Sequence, residues 1–140
     1  MQKDMIVAYA AGFFDGEGCV NCSANKSGSP FVRIMVANTN IEVLELFKSY
    51  WGGDIQKSSR SKDHWKQAYN WRLANSDAST FLREILPFLV IKKDQASAAI
   101  QFNDMRPGKG AKWQEPAKTQ AIELLNKIRE KNKRGVVVCP

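Results

Sequence analysis

The sequence predicts an α+β domain in which a helix-strand-strand unit occurs twice along one mainly antiparallel sheet backed by further helices. Three observations carry this. Apolar residues alternate with period two at 31–37 and 67–73, they recur at spacings of three and four at 5–15, 41–50 and 91–104, and the order is helix, two strands, helix, two strands, helices. At 140 residues the chain is long enough to bury a core without disulfide or metal staples. It reads as one domain over 1–135 with an unassigned tail at 136–140.

The opening helix, 5–15, places the small residues Ala8, Ala11 and Gly12 on one face, a smooth stripe that another helix can approach closely. Gly12 in a helix interior costs about 1 kcal/mol relative to alanine, and close backbone packing is the usual compensation. Gly16 and Gly18 then stop the helix, leaving Asp15 and Glu17 at its tip. Carboxylates at the negative end of a helix dipole are disfavoured. A hard divalent cation such as magnesium, which prefers carboxylate and carbonyl oxygens, would relieve that conflict. An ordinary glycine cap followed by an exposed acidic turn accounts for the same residues.

Two strands follow, 19–25 and 31–37, joined by a hairpin segment at 26–30. Val32, Ile34 and Val36 share one face, and Phe31, Arg33 and Met35 the other. In the first strand Val20 and Cys22 take the buried face, leaving Asn21, Ser23 and Asn25 exposed. Asn40 caps a helix through 42–50 whose inner side is Ile41, Leu44 and Phe47, and Gly52 and Gly53 end it. A third strand, 54–59, sets Ile55 and Lys57 against Gln56, Ser58 and Arg60, and a basic link at 61–66 leads to a fourth strand, 67–73. There Tyr69, Trp71 and Leu73 point one way, Asn70 and Arg72 the other. Amides, hydroxyls and arginines on one sheet face suit base-edge reading, although a merely solvated face has the same composition.

Helices complete the chain. Asp77 caps one that runs to 85, Pro87 interrupts it, and the next spans 91–104 with Ala96, Ala99 and Ile100 inward. The loop at 107–110 lacks the spaced glycines and Gly-Lys-Ser/Thr ending of a phosphate-binding loop. Residues 115–133 form an amphipathic helix with Ile122, Leu125 and Ile128 on its apolar side.

Twenty-one basic against 14 acidic residues give a formal charge of +7, which favours polyanionic partners, nucleic acid above all. Cys19, Cys22 and Cys139 include a Cys-x-x-Cys pair. On a strand that pair faces opposite sides, with the sole histidine, His64, far away, so the cysteines read as small strand residues rather than zinc ligands. No apolar run approaches the roughly 20 residues of a membrane span, and the N-terminus lacks a signal-peptide layout. The expectation is a soluble intracellular protein with no membrane partner.

Residues 10–18, Ala-Ala-Gly-Phe-Phe-Asp-Gly-Glu-Gly, resemble the signature nonapeptide of the LAGLIDADG homing endonucleases. The likeness continues through Trp51-Gly-Gly-Asp-Ile55, Tyr69-Asn-Trp-Arg-Leu73 and Leu86-Pro-Phe-Leu89 followed by Lys92, over nearly the whole chain. It implies a saddle-shaped sheet and a site-specific double-stranded DNA endonuclease. With a single motif, the resemblance implies a homodimer on a long, near-palindromic target, with Ala8, Ala11 and Gly12 at the dimer contact. It assigns Glu17 and the Gly16 carbonyl to a divalent metal, Mg2+ or Mn2+, and leaves Asp15 a structural role. Lys92 falls at the family's basic active-site position, which Lys93 could also fill, and Asn38 at a polar position that organises water. Glu42 is an acidic departure where the family can carry a second basic group.

The DNA-reading residues expected on this basis are Asn21, Ser23, Asn25, Arg33, Met35, Gln56, Ser58, Arg60, Asn70 and Arg72. The alternative on the same scaffold is a non-cleaving nucleic-acid-binding protein such as an intron RNA-splicing maturase, with RNA as partner.

Overall fold

The computed structural model describes residues 2–24, 30–59, 62–107 and 112–133. Four strands, β1 (Gly18–Ala24), β2 (Pro30–Asn38), β3 (Asp54–Lys57) and β4 (Tyr69–Ala74), form one sheet in the order β1-β2-β4-β3. Every neighbouring pair is antiparallel. Five helices accompany them: α1 (Lys3–Glu17), α2 (Ile41–Trp51), α3 (Asn75–Ile85), α4 (Lys93–Met105) and α5 (Ala117–Asn132). A 3-10 turn, Leu86–Phe88, stands where Pro87 was expected to interrupt. The units α1-β1-β2 and α2-β3-β4 are the expected repeat, and α3, α4 and α5 complete the helical layer.

Alternation sorts the sheet as expected. Val20, Val32, Ile34, Val36, Trp71 and Leu73 are buried, and they meet Phe14, Leu44, Phe47, Phe81 and Leu82 from the helices in one continuous core. Edge-to-face ring pairs lock that meeting point: Trp51–Phe81 at 4.8 Å and Trp71–Phe81 at 5.2 Å between centroids. Both buried indoles find acceptors, Trp71 Nε1 donating to Gly52 O (2.8 Å) and Trp51 Nε1 to Glu84 Oε2 (2.7 Å). Burial pushes the Glu84 carboxyl up, but the bonds from Trp51 and Lys3 and the charge of Lys3 outweigh it. Its pKa is held below the ordinary value.

Asn40 caps α2, its side chain accepting from Val43 N at 3.2 Å. Two helix ends and one helix face in particular differ from expectation. α1 continues through Gly16 to Glu17, and Gly18 is an extended cap (φ −87°), so neither glycine serves as a left-handed stop. Gly18 is needed for close approach, because a Cβ there would overlap the Phe14 ring. α3 begins at Asn75, two residues before Asp77. Asn75 adopts φ 55°, tolerable for asparagine, and Asn103 Nδ2 holds its carbonyl from α4 at 3.2 Å. Asp77 then sits in the first turn, where its charge suits the dipole. On α5 the buried residues are Ala121, Leu125 and Ile128, whereas Ile122 is exposed, one residue off the packed stripe.

The loop predicted at 107–110 and the tail at 136–140 fall outside the described residues beyond Pro107. Among the described residues no helix is long and apolar enough to cross a membrane.

Candidate nucleic-acid interface and acidic turn

The strand register lays the outward face of the sheet out in rows. Cys19 pairs with Met35, Met35 with Arg72, and Arg72 with Asp54, one row across all four strands. On one side lie Asn21, Arg33 and Ala74, and on the other Ala37, Asn70 and Gln56. The predicted readers Asn21, Arg33, Met35, Gln56, Asn70 and Arg72 therefore share one face. Ser58 joins them, its hydroxyl accepting from Asn70 Nδ2 at 2.7 Å. Ser23 is placed by its backbone pairing with Phe31 alone, and Asn25 and Arg60 lie outside the described residues.

Two guanidiniums dominate the face. Arg33 stacks over the Phe31 ring at 5.9 Å, and Arg72 Nη2 donates to Asp54 Oδ2 at 2.9 Å. The Nε atoms of both arginines are buried without a partner, so the two forks carry unused donor capacity. Cys19 and Cys22 face opposite sides of β1 as expected. Cys19 Sγ donates to Asn21 Oδ1 (3.4 Å) and Cys22 Sγ to Leu125 O (3.8 Å), while burial pushes the Cys22 thiol up against the pull of Arg129.

At the tip of α1 the two carboxylates part company. Asp15 accepts from the backbone N–H groups of Val90 (2.8 Å), Ile91 (3.1 Å) and Lys92 (3.0 Å), so it caps the segment entering α4. In return, Lys92 Nζ donates to the carbonyls of Asp15 (2.7 Å) and Phe14 (3.3 Å) at the end of α1. The dipole conflict expected of this helix end is thus met within the chain by Lys92, and needs no metal to resolve it.

Glu17 is exposed, and no ion pair to it occurs among the described residues. Nor do those residues contain a group of three or more His, Cys, Asp or Glu able to enclose a metal. One chain offers a hard divalent ion Glu17 and nearby main-chain oxygen. That donor chemistry fits, as part of a coordination shell that phosphate, water or a second chain must complete. Asn38 ends β2 two residues beyond Val36, the partner of Gly18, at the same end of the sheet as Glu17. Its side-chain oxygen accepts from Asn40 N at 2.8 Å, which leaves the amide N–H groups to donate.

The small stripe of α1 divides between two environments. Ala11 is fully buried in the core of its own chain, because the large residues Ile6, Val7 and Phe14 turn that side inward. Ala8 and Gly12 stay exposed, accompanied by Met5 (61%) and Tyr9 (46%). Asp54 was missed by the sequence reading. Its place opposite Arg72 depends on the β3–β4 register, which the length of chain between the two strands hides from any spacing argument.

The family description "LAGLIDADG endonuclease" matches residues 10–106, more than half of the chain. Comparison with curated protein sequences finds no match. Among solved structures the chain is similar to the homing endonuclease I-CvuI in complex with its target in the presence of calcium, at 19% identity over 98% of this chain and 87% of that one (TM-score 0.75). It is similar also to the archaeal intron-encoded homing endonuclease I-Vdi141I complexed with DNA, at 19% identity over 96% and 88% (TM-score 0.75). The LAGLIDADG meganuclease I-AabMI bound to uncleaved DNA matches at 16% identity over 91% of this chain but 46% of that one (TM-score 0.68). The structural likenesses carry the fold, the matched span contains the nonapeptide and both strand pairs, and the chain belongs to the LAGLIDADG endonuclease family.

Proposed function

We propose that the protein is a site-specific double-stranded DNA endonuclease that acts as a homodimer with a divalent metal. The observation that carries this is the pairing of one sheet face rich in arginine and amides with an uncommitted carboxylate, Glu17, at the end of α1. Membership of the endonuclease family supports the chemistry, and the DNA-bound states of I-CvuI and I-Vdi141I support the substrate. The single motif supports the dimer, as does the match to less than half of I-AabMI. So does the exposed α1 face of Met5, Ala8, Tyr9 and Gly12.

In this reading the sheet face enters the major groove. Arginine prefers guanine and asparagine or glutamine prefers adenine, each good bidentate contact contributing about 1–3 kcal/mol of discrimination. The charge of +7 per chain supplies phosphate attraction that weakens with salt. Glu17 and the Gly16 carbonyl hold the metal, Mg2+ or Mn2+, which when bound supplies Lewis-acid polarisation of the phosphate and a lower pKa for its water. Lys92 keeps an ammonium beside the α1 end, where charge develops on the scissile phosphate, and its bond to the Asp15 carbonyl fixes its position. Asn38, its oxygen tied to Asn40 N, orients an attacking water through its amide N–H groups.

Cleaved sites are selected from a random DNA library with magnesium present, and the recovered target is then cut by wild type and by Glu17→Gln. The variant should bind the target and cut it roughly 100-fold or more slowly. Wild-type rates from Glu17→Gln would remove Glu17 from the metal role. RNA bound more tightly than DNA, with no DNA cut, would favour the maturase alternative.

A further inference from the structure

Asp54 is the one acidic side chain on the outward sheet face among the described residues. On a surface that receives phosphate, a carboxylate opposes binding, and an ion pair as exposed as Asp54–Arg72 (54% and 24%) contributes little to stability. Its presence asks for a local purpose. The register gives one, because Asp54 lies directly opposite Arg72 and takes one guanidinium nitrogen at 2.9 Å.

The pair offers two things side by side. One N–H of Arg72 Nη2 is held by Asp54 Oδ2, which fixes the fork in plane, while the other N–H of Nη2 and those of Nη1 remain for a ligand. The second carboxylate oxygen of the half-exposed Asp54 remains as an acceptor. Two guanidinium donors beside a carboxylate acceptor complement the acceptor-acceptor-donor run that guanine N7, guanine O6 and cytosine N4 present in the major groove. An A·T pair breaks that run, because the adenine N6 amino group stands between the acceptors adenine N7 and thymine O4 and would face one of the guanidinium donors.

Resting on the DNA-reading function proposed above, we infer that Asp54 is a specificity-determining residue. Asp54 and Arg72 together read one G·C pair in each half-site, Arg72 donating to guanine and Asp54 accepting from the cytosine amino group. A lone Arg72 on this face would also be drawn to phosphate, and the grip of Asp54 holds it on a base edge.

The test measures binding in calcium to the selected target and to variants carrying each of the four base pairs at every position, for wild type, Asp54→Ala, Arg72→Ala and the double variant. Wild type should prefer G·C at one symmetric position by roughly tenfold or more. Asp54→Ala should lose most of that preference there and nowhere else, and the double variant should be no less selective there than Arg72→Ala alone. Asp54→Asn, which keeps an acceptor oxygen without the charge, should retain part of the preference. Thermal melts should match wild type, since the side chain is exposed. If Asp54→Ala keeps the full wild-type profile while Arg72→Ala loses a position, Asp54 is passive and the inference fails. If wild type shows no base preference anywhere, the DNA-reading function itself fails and this inference with it.

Discussion

Asp15 and Glu17 stand two residues apart, yet their surroundings give them unrelated work. Asp15 spends both oxygens on three backbone amides ahead of α4, whereas Glu17 lies exposed beyond the clasp. Asp15 and Lys92 form a reciprocal tie, a carboxylate on one helix start and an ammonium on the other helix end. Asp15→Ala leaves those amides without a charged acceptor and should lower unfolding free energy by about 1–2 kcal/mol in urea denaturation. A change below a few tenths would show that water replaces the carboxylate at no cost. The structural role of Asp15 was legible from the motif, but its partners were not. They lie 75 to 77 positions away, and no local spacing announces a contact at that separation.

Whole elements were most legible where two signals agreed. In β2 and β4 period-two alternation names Val32, Ile34, Val36, Tyr69, Trp71 and Leu73, all of which are buried except the half-buried Tyr69 at the start of β4. α1 was harder, because stripes of small and of large residues overlap on it. Ala11 belongs to both spacings, and the area buried by Ile6, Val7 and Phe14 draws it inward. On α5 the same ambiguity misassigned Ile122. The α2–β3 turn is unambiguous. Gly52 and Gly53 both have positive φ (80° and 87°), and a Cβ on Gly53 would crowd Leu73 Cδ2 at 2.6 Å and overlap the Arg72 carbonyl. Gly53→Ala should therefore cost about 1–3 kcal/mol, read as a lowered melting temperature. Because β3 carries Asp54 and Gln56, it should weaken target binding as well. An unchanged melting temperature would mean that the turn relaxes without straining β4.

At the scale of the molecule the proposed homodimer needs a surface that meets a second chain. Each chain contributes one Glu17 to the proposed metal chemistry, and cutting both strands of a duplex, as proposed, calls for two such centres, so assembly and activity should fail together. The exposed side of α1 combines Met5, Ala8, Tyr9 and Gly12, and the loop pinned by Asp15 adds Val90 (83%) and Ile91 (71%) to the apolar surface of the chain. Gly12 separates folding from assembly. A Cβ there meets nothing within 4 Å in its own chain, so Gly12→Leu should fold, and it gains about 1 kcal/mol in helix propensity. In a helix seam the same leucine would force the two backbones apart. Sedimentation should find wild type dimeric and Gly12→Leu monomeric, with cleavage lost and circular dichroism retained. A Gly12→Leu protein that stays dimeric and cuts at the wild-type rate would move the seam elsewhere, whereas a monomeric wild type that still cuts both strands would remove the need for one.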